Sequence, residues 1–234
     1  MPQKLHCKVT EMLDHGEGVY SIVLKPDFTA PRFLPGQFLH LALDPYTPGD
    51  FWPESRVFSI ASPPTDRNSL RITYAVKGKF TNRMESELHC GSEVWIKLPY
   101  GEFTINTGTD VCLLAGGTGV TAFTAFLANL TGDYPHSIYL FYGARQTDLL
   151  IYRPLIESVV ELCSKLHRYY LVEASQVSGF ITGRINLDDV WKNVPHIQKV
   201  TFYLSGPPVM LKTLSTGLVE RGISAENILM DAWD

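Results

Sequence analysis

A charge, an aromatic ring and a hydroxyl stand within one short segment, Arg56-Val57-Phe58-Ser59. On a strand, Arg56 and Phe58 would point to one face, and Val57 and Ser59 to the other. A guanidinium can hold a pyrophosphate through two parallel hydrogen bonds, a phenyl ring can cover a planar cofactor ring, and a hydroxyl can bond a ring nitrogen. Taken alone, however, these four residues are better interpreted as an ordinary barrel strand with a surface arginine.

A second segment, Gly78-Lys79-Phe80-Thr81, joins the strand TYAVK to a predicted helix, Thr81 to His89. Backbone N–H groups at a glycine turn and a helix N-terminus form an anion site, to which Thr81 can add a hydroxyl. A helix capped by Thr81 after a plain turn explains the segment about as well in isolation. Because the arginine segment precedes it, we favour phosphate binding, with contacts extending to Tyr74, Ala75 and Val76.

Two further segments lead from an apolar strand through a turn into a helix. In the first, Leu113 to Phe123, the strand ends in Gly116-Gly117-Thr118-Gly119, and glycines there let the backbone approach a pyrophosphate that faces the helix N-terminus. A strict G-x-G-x-x-G is absent, because Ala122 follows Thr121. The second, Tyr203 to Met210, places Ser205, Gly206 and Pro207 at the strand end, and taken alone it is better interpreted as a plain connection.

The elements that must position these residues differ between the two halves of the chain. From Lys4 to about Ile105, short alternating runs are separated by Pro, Gly, Asp and Asn, which predicts a small antiparallel barrel: VYSIVL, FLHLAL, VFSIAS, LRITYAV and EVWIKL. After Asn106, strands alternate with helices predicted at 121–130, 152–166 and 208–221, which indicates βαβ units on a parallel sheet. We therefore predict two domains, 1–105 and 106–234, joined at INTGTD.

Composition excludes several other classes of protein. A hydrophobic fraction of 45% and a charged fraction of 19% are typical of globular domains, and a net charge of -4 favours neither nucleic acid nor an anionic membrane as partner. The four cysteines are widely spaced, so we expect free thiols and no metal site. The N-terminus shows no secretory signal, and the uncharged stretch Val111 to Leu130 is broken by glycines, so we expect a cytoplasmic protein without a membrane span.

In their order and spacing, these segments resemble the ferredoxin-NADP reductase superfamily over nearly the whole chain. The resembling motifs are R-x-[YF]-S (Arg56, Phe58, Ser59), the phosphate turn (Gly78 to Thr81), Pro-x-Gly-x-Phe (Pro99, Gly101, Phe103), GGTG, Tyr-Gly-x-Arg (Tyr142, Gly143, Arg145), Thr-Gly-Arg (Thr182 to Arg184) and Ser-Gly-Pro. The resemblance implies an N-terminal antiparallel six-stranded flavin-binding β-barrel, followed by a parallel-sheet α/β nucleotide-binding domain.

The resemblance also implies roles for individual residues. Ser59, Thr118 and Ser205 are expected to converge where hydride passes from the nicotinamide C4 atom to the flavin N5 atom, and the protein's part in this step is placement. The residues expected to contact the flavin are Arg56, Val57, Phe58, Ser59, Tyr74, Ala75, Val76, Gly78, Lys79, Phe80 and Thr81. Those expected to contact the nicotinamide nucleotide are Gly117, Thr118, Gly119, Arg145, Glu173, Gly206 and Pro207.

Three positions depart from the family pattern or leave a choice open. Ser205 stands where many members have Cys, and Phe58 replaces the commoner Tyr, as in flavin reductases. Trp233 either stacks on the flavin or adenine or anchors the last strand in the core. Glu173 would repel a 2′-phosphate and bond a ribose hydroxyl, which favours NADH, although Arg145 could serve NADPH, and Glu173 is equally well a solvated surface charge.

The leading hypothesis is a flavin-dependent NAD(P)H oxidoreductase that holds FAD, with FMN as the alternative, and passes electrons to a separate ferredoxin, flavodoxin or oxygenase component. No C-x4-C-x2-C segment for an iron-sulfur centre is present, so we expect the acceptor to be a separate protein. One alternative is an NAD(P)H:flavin reductase that uses free flavin as its substrate. Another, of a different class, is a non-catalytic electron-transfer subunit of a larger complex.

Overall fold

A computed structural model describes residues 2–105, 108–173 and 178–231. The chain divides into two compact units. The first is formed by the chain up to Thr104 together with Thr121–Phe126, and the second by Ile105–Val120 and the chain from Leu127 onward. Trp233 lies outside the described residues, and so does part of the predicted INTGTD linker.

The first unit is a nearly closed six-stranded antiparallel barrel. Its strands lie in the order β4-β3-β6-β1-β2-β5, and one helix, α1, follows β5. Alternate side chains fill the barrel, as Leu39 and Leu41 of β3 and Val94 and Ile96 of β6 do. The elements are β1 (Gln3–Asp14), β2 (Val19–Pro26), β3 (Phe38–Ala42), β4 (Ser55–Ser59), β5 (Leu70–Ala75), α1 (Lys79–Glu87) and β6 (Glu93–Tyr100).

The second unit contains a six-stranded parallel sheet with helices, in the strand order β10-β9-β8-β7-β11-β12. Its central strands are buried on both faces and therefore read as continuous apolar runs. The strands are β7 (Val111–Gly116), β8 (Ile138–Ala144), β9 (Leu166–Val172), β10 (Ile181–Thr182), β11 (Thr201–Ser205) and β12 (Ile228–Asp231). The helices are α2 (Thr121–Leu127), which begins in the segment grouped with the barrel, α3 (Arg153–Leu162), α4 (Leu187–Asn193) and α5 (Pro208–Glu220).

The fold class predicted from the sequence is confirmed, but several helix ends differ from prediction, among them the start of α1 and the ends of α2 and α3. Helix α1 begins at Lys79 instead of Thr81, because Gly78 is the N-cap and Thr81 occupies the third helical position. Helix α2 ends at Leu127, where a tight turn to Leu130 replaces the helical hydrogen bond. Helix α3 ends at Leu162, since Leu166 is buried as the first residue of β9.

Among the described residues, no helix has both the length and the apolar composition needed to cross a membrane.

Candidate functional site

The arginine segment forms β4, which pairs with β3 at one end of the barrel sheet. Arg56 is half-exposed, donates to the Glu54 carboxylate in an ion pair at 3.0 Å and donates to the carbonyl of Ser55 at 2.9 Å. Its guanidinium carbon also lies 5.2 Å from the centre of the Phe80 ring, in the first turn of α1. The structure therefore brings together the arginine and the glycine turn, two segments that the sequence separates by more than twenty residues.

The first turn of α1 offers backbone N–H groups close to that arginine. The Thr81 hydroxyl accepts hydrogen bonds from the amides of Lys77 and Gly78 at 2.9 and 3.1 Å, and donates to the Gly78 carbonyl at 3.1 Å. Helix geometry leaves the amides of Lys79, Phe80 and Thr81 without intrahelical acceptors. The prediction of Thr81 as N-cap is thus wrong, because its hydroxyl binds backward to the turn, and the amides after Gly78 are the stronger candidates for anion contact.

Beside β4, aromatic rings and a buried hydroxyl form a further part of the barrel that could contact a cofactor. Phe58 packs edge-on against Tyr74 of β5 with ring centres 6.1 Å apart, and Tyr20 stacks on Tyr74 at 5.6 Å. Tyr74 is 2% exposed, and its Oη atom has no hydrogen-bond partner. Burial raises the pKa of Tyr74, so its hydroxyl stays protonated and can donate. A buried donor without an acceptor is the feature that a polar cofactor edge would complete.

The remaining predicted residues of the barrel lie on the same strands. Val57 is half-buried in β4 opposite His40, and Ala75 ends β5. The amide of Val76 donates to the Gly18 carbonyl at 2.8 Å, so this amide is already used within the barrel. Ser59 is buried at the end of β4, and in the described part of the chain its hydroxyl forms no hydrogen bond.

The second unit gathers its candidate residues at the carboxyl ends of the parallel strands. The segment Gly117–Val120 forms a single 3-10 turn between β7 and α2. A Cβ atom on Gly119 would lie 2.4 Å from the Ser205 carbonyl oxygen, and one on Gly116 would lie 2.6 Å from the Met210 sulfur. A Cβ on Gly117, whose φ is +55°, would meet no atom within 4 Å. The glycines thus allow close backbone packing behind an open face, as a dinucleotide requires.

Ser205 ends β11 in register with Ala115 of β7 on one side and Asp231 of β12 on the other. Its hydroxyl donates to the Asp231 carboxylate at 2.9 Å, and both residues are buried. Because the hydroxyl proton points to Asp231, the remaining face of the oxygen is a hydrogen-bond acceptor. The sequence analysis assigned no contact to Asp231 or Met210; an acidic residue ending an otherwise apolar strand, Ile228–Asp231, is the signal that could have revealed the contact of the first.

The nucleotide-selecting candidates lie at the ends of the next strands. Arg145 is exposed directly after β8, and Glu173 is exposed directly after β9. The Glu173 carboxylate accepts a hydrogen bond from Arg184 at 2.9 Å, in an exposed ion pair. Gly206 follows β11, and Pro207 is the exposed N-cap of α5. Glu173 is therefore an exposed surface charge that a cation already contacts.

Comparisons with known proteins agree with this geometry. Residues 113–216 match the family model described as the oxidoreductase NAD-binding domain. The chain is 27% identical, over 98% of its length, to the reductase component of propane 2-monooxygenase from Rhodococcus jostii. It spans 55–63% of the length of the first curated relatives that it matches.

Two solved structures share the fold of this chain over nearly its whole length. The flavohem-like FAD/NAD-binding domain of nitric oxide dioxygenase from Vibrio cholerae superposes with a TM-score of 0.84 at 18% identity, covering 98% of both chains. A ferredoxin NADP+ reductase from Neisseria gonorrhoeae, solved with bound FAD and NADP, gives a TM-score of 0.82 at 15% identity and covers 97% of this chain and 98% of its own. Both likenesses extend through the barrel as well as the parallel sheet.

Proposed function

We propose that this chain is a flavin-dependent NAD(P)H oxidoreductase that passes electrons to a separate acceptor. The observation that carries the proposal is the carboxyl edge of the parallel sheet, where the backbone at Gly119 touches that of Ser205 while Gly117 faces open space. A side chain at Gly117 would occupy the open face that a dinucleotide would approach, whereas one at Gly119 would push the turn away from β11. The N-terminus of α2 would face the charge of the dinucleotide. As part of this proposal we keep the domain division at residues 105 and 106.

The barrel residues fit a flavin with a phosphate chain, which we propose to be FAD. Arg56 would bind the phosphates together with the amides of Lys79 and Phe80, because its guanidinium already lies against the Phe80 ring. The protonated Tyr74 hydroxyl would donate to a polar atom of the cofactor that replaces its missing acceptor. Ser59 at the end of β4 would bond a ring nitrogen.

When bound, the flavin supplies the capacity to accept two electrons from a reduced nicotinamide and to release them singly. The residues of the chain place the reactants. Ser205 would present an acceptor oxygen in an orientation fixed by Asp231, and Thr118 in the 3-10 turn would contact the same nucleotide. The convergence of Ser59, Thr118 and Ser205 stays a prediction.

Two features of the chain bear on the identity of donor and acceptor. Glu173 at the end of β9 supports NADH, because a carboxylate repels a 2′-phosphate. Its pairing with Arg184 moderates this repulsion, so we expect a preference and not an exclusion. The Rhodococcus relative is named as the reductase component of an oxygenase, which supports an oxygenase component as the acceptor here.

The test is an anaerobic titration of the purified chain after loading with FAD and desalting. Retained yellow colour that NADH bleaches, and NADPH bleaches less readily, supports the proposal. Loss of the colour on desalting, together with NADH oxidation when free flavin is supplied, favours the flavin reductase alternative. A retained flavin that neither nucleotide bleaches favours the non-catalytic subunit, and failure to bind flavin under every loading condition refutes the proposal.

A further inference from the structure

A cavity of about 290 Å³ opens in the second unit between α3 and the edge of β9. It is lined by Arg153 and Glu157 of α3, by residues 168–170 of β9, and by Gly179 and Ile181. Among the described residues, β10 pairs only with Leu171 and Val172 at the end of β9. On the side of β9 that faces β10, the earlier residues of β9 therefore pair with no described strand. The volume is at the lower end of the range for small-molecule sites. None of the lining residues belongs to the flavin or nicotinamide contacts proposed above.

The cavity is lined by more positively than negatively charged side chains. Arg168 is engaged by Glu157, through contacts of 3.2 and 3.3 Å. Arg153 has no ion-pair partner within the described residues, and its guanidinium carbon lies 5.0 Å from the ring centre of Phe180 and 5.7 Å from that of Tyr170. Two cations against one carboxylate leave the cavity with a net positive charge. The planar guanidinium is held by rings, which leaves its N–H edge available to an anion.

A buried hydroxyl supplies the second, independent sign of a ligand. Tyr170 is 6% exposed, and its Oη atom lies beside the Glu157 carboxylate but meets no group of the described residues in hydrogen-bond geometry. Burial, and then the neighbouring Glu157 carboxylate, raise the pKa of Tyr170, so this hydroxyl remains a donor at neutral pH. Burying such a group without an acceptor costs free energy, and an incoming oxygen would recover it.

We propose that this cavity is a second ligand site, which takes a small organic anion carrying one carboxylate or phosphate group. The anionic oxygens would bind Arg153 and the Tyr170 hydroxyl, and the organic part would lie against Ile181. The site is independent of the proposed oxidoreductase function, because it shares no residue with it.

Isothermal titration calorimetry of the full chain with benzoate and with phenyl phosphate tests the proposal, and benzyl alcohol serves as the neutral control. We expect either anion to bind and the alcohol not to bind. Tyr170→Phe should weaken binding about tenfold, because it removes the hydroxyl that we propose donates to the anion. Arg153→Gln should weaken it at least as much.

Arg221→Gln is the matched control, since Arg221 also stacks on a ring of the same unit, 5.0 Å from the centre of Trp191, but away from the cavity. Its binding of the anion should be unchanged. The proposal is overturned if neither anion binds, if both cavity variants bind as the unaltered chain does, or if NADH or NADPH displaces the anion, which would assign the cavity to the nucleotide site. Reduction of the flavin by NADH is measured separately, so the two proposals can fail independently.

Discussion

Replacing Gly119 by alanine is expected to force the turn after β7 away from the end of β11. The new Cβ atom would lie 2.4 Å from the carbonyl oxygen of Ser205 and 2.6 Å from the backbone nitrogen of Gly206. Lengthening the first contact from 2.4 Å to the shortest distance that real Cβ atoms show, 3.0 Å, needs a movement of about 0.6 Å. Both obstacles are backbone atoms, so no side-chain rotation relieves the clash.

We expect Gly119→Ala to lower the free energy of unfolding by about 1–3 kcal/mol, the range for overpacking a dense interior. The displaced residue is Ser205, whose hydroxyl we propose to place the nicotinamide. Since a misplacement of about 1 Å can cost a reaction about a hundredfold in rate, we expect flavin reduction by NADH to slow by at least about tenfold. Urea unfolding measures the first effect, and anaerobic stopped-flow absorbance at saturating NADH measures the second.

Gly132→Ala provides the matched control in the same unit. A Cβ there would meet only the Leu162 carbonyl oxygen at 3.1 Å, which requires a shift of a few tenths of an ångström, and Gly132 is assigned to no site. This variant should unfold with a smaller loss of stability and reduce its flavin at the normal rate. If Gly119→Ala matched Gly132→Ala in both measurements, the steric reasoning would be refuted.

Three other changes test separate parts of the structure. Tyr74→Phe removes a buried hydroxyl without a partner, so the urea midpoint should stay the same or rise, while FAD retention on desalting should fall; a large loss of stability would contradict this. Glu173→Gln removes the carboxylate from Arg184, so the ratio of kcat/KM for NADPH to that for NADH should rise about tenfold, and an unchanged ratio would exclude Glu173 as a selector. Arg83 lowers the pKa of Asp44 by hydrogen bonding, so their pairing stabilises the fold at neutral pH and is lost as pH falls through the lowered pKa; Arg83→Gln should reduce the urea midpoint at neutral pH, and a reduction that does not shrink as pH falls through that lowered pKa would contradict this.

The barrel could be predicted because its strands alternate over a single core. The runs VYSIVL and EVWIKL correspond to β2 and β6. Strand β6 buries every second residue over most of its length, whereas β2 buries four residues in a row, Ser21 to Leu24. Strand β1 was not among the quoted runs, although it lies between β2 and β6, because its outward positions carry Lys, Thr and Glu and its inward ones include Cys7. The polar residues on the solvent-facing side of β1 hid this strand in the sequence, although it lies in the middle of the sheet.

The short helix α4 was also missed, and for it the sequence contains a local signal. Asn186 is the N-cap, and its side-chain oxygen accepts a hydrogen bond from the Asp189 amide at 2.9 Å. Acidic residues at 188 and 189 then favour the helix N-terminus. At seven residues, the helix is too short for an apolar period to be recognised, so only its cap could have predicted it.

The candidate residues were found at strand ends, but their partners depend on strand order, which a local pattern does not contain. Arg56 meets Phe80 because of how β4 and α1 are placed in the barrel, and Ser205 meets Asp231 because β12 adds beside β11. Neither neighbour follows from spacing along the chain. Thr81 is the opposite case. The sequence identifies its hydroxyl as a hydrogen-bonding group, but that hydroxyl accepts hydrogen bonds from the amides of Lys77 and Gly78 in the turn itself.

Strand β11 connects the two features on which the nucleotide site depends. Its last residue, Ser205, is held through its backbone by the turn at Gly119 and through its side chain by Asp231. A serine hydroxyl on an exposed loop would rotate freely, and ordering it on binding would cost free energy. Here the close backbone packing fixes where the oxygen lies, and the buried carboxylate fixes where its proton points. The absence of side chains at Gly119 and Gly206 is therefore as much a part of the proposed chemistry as the hydroxyl itself.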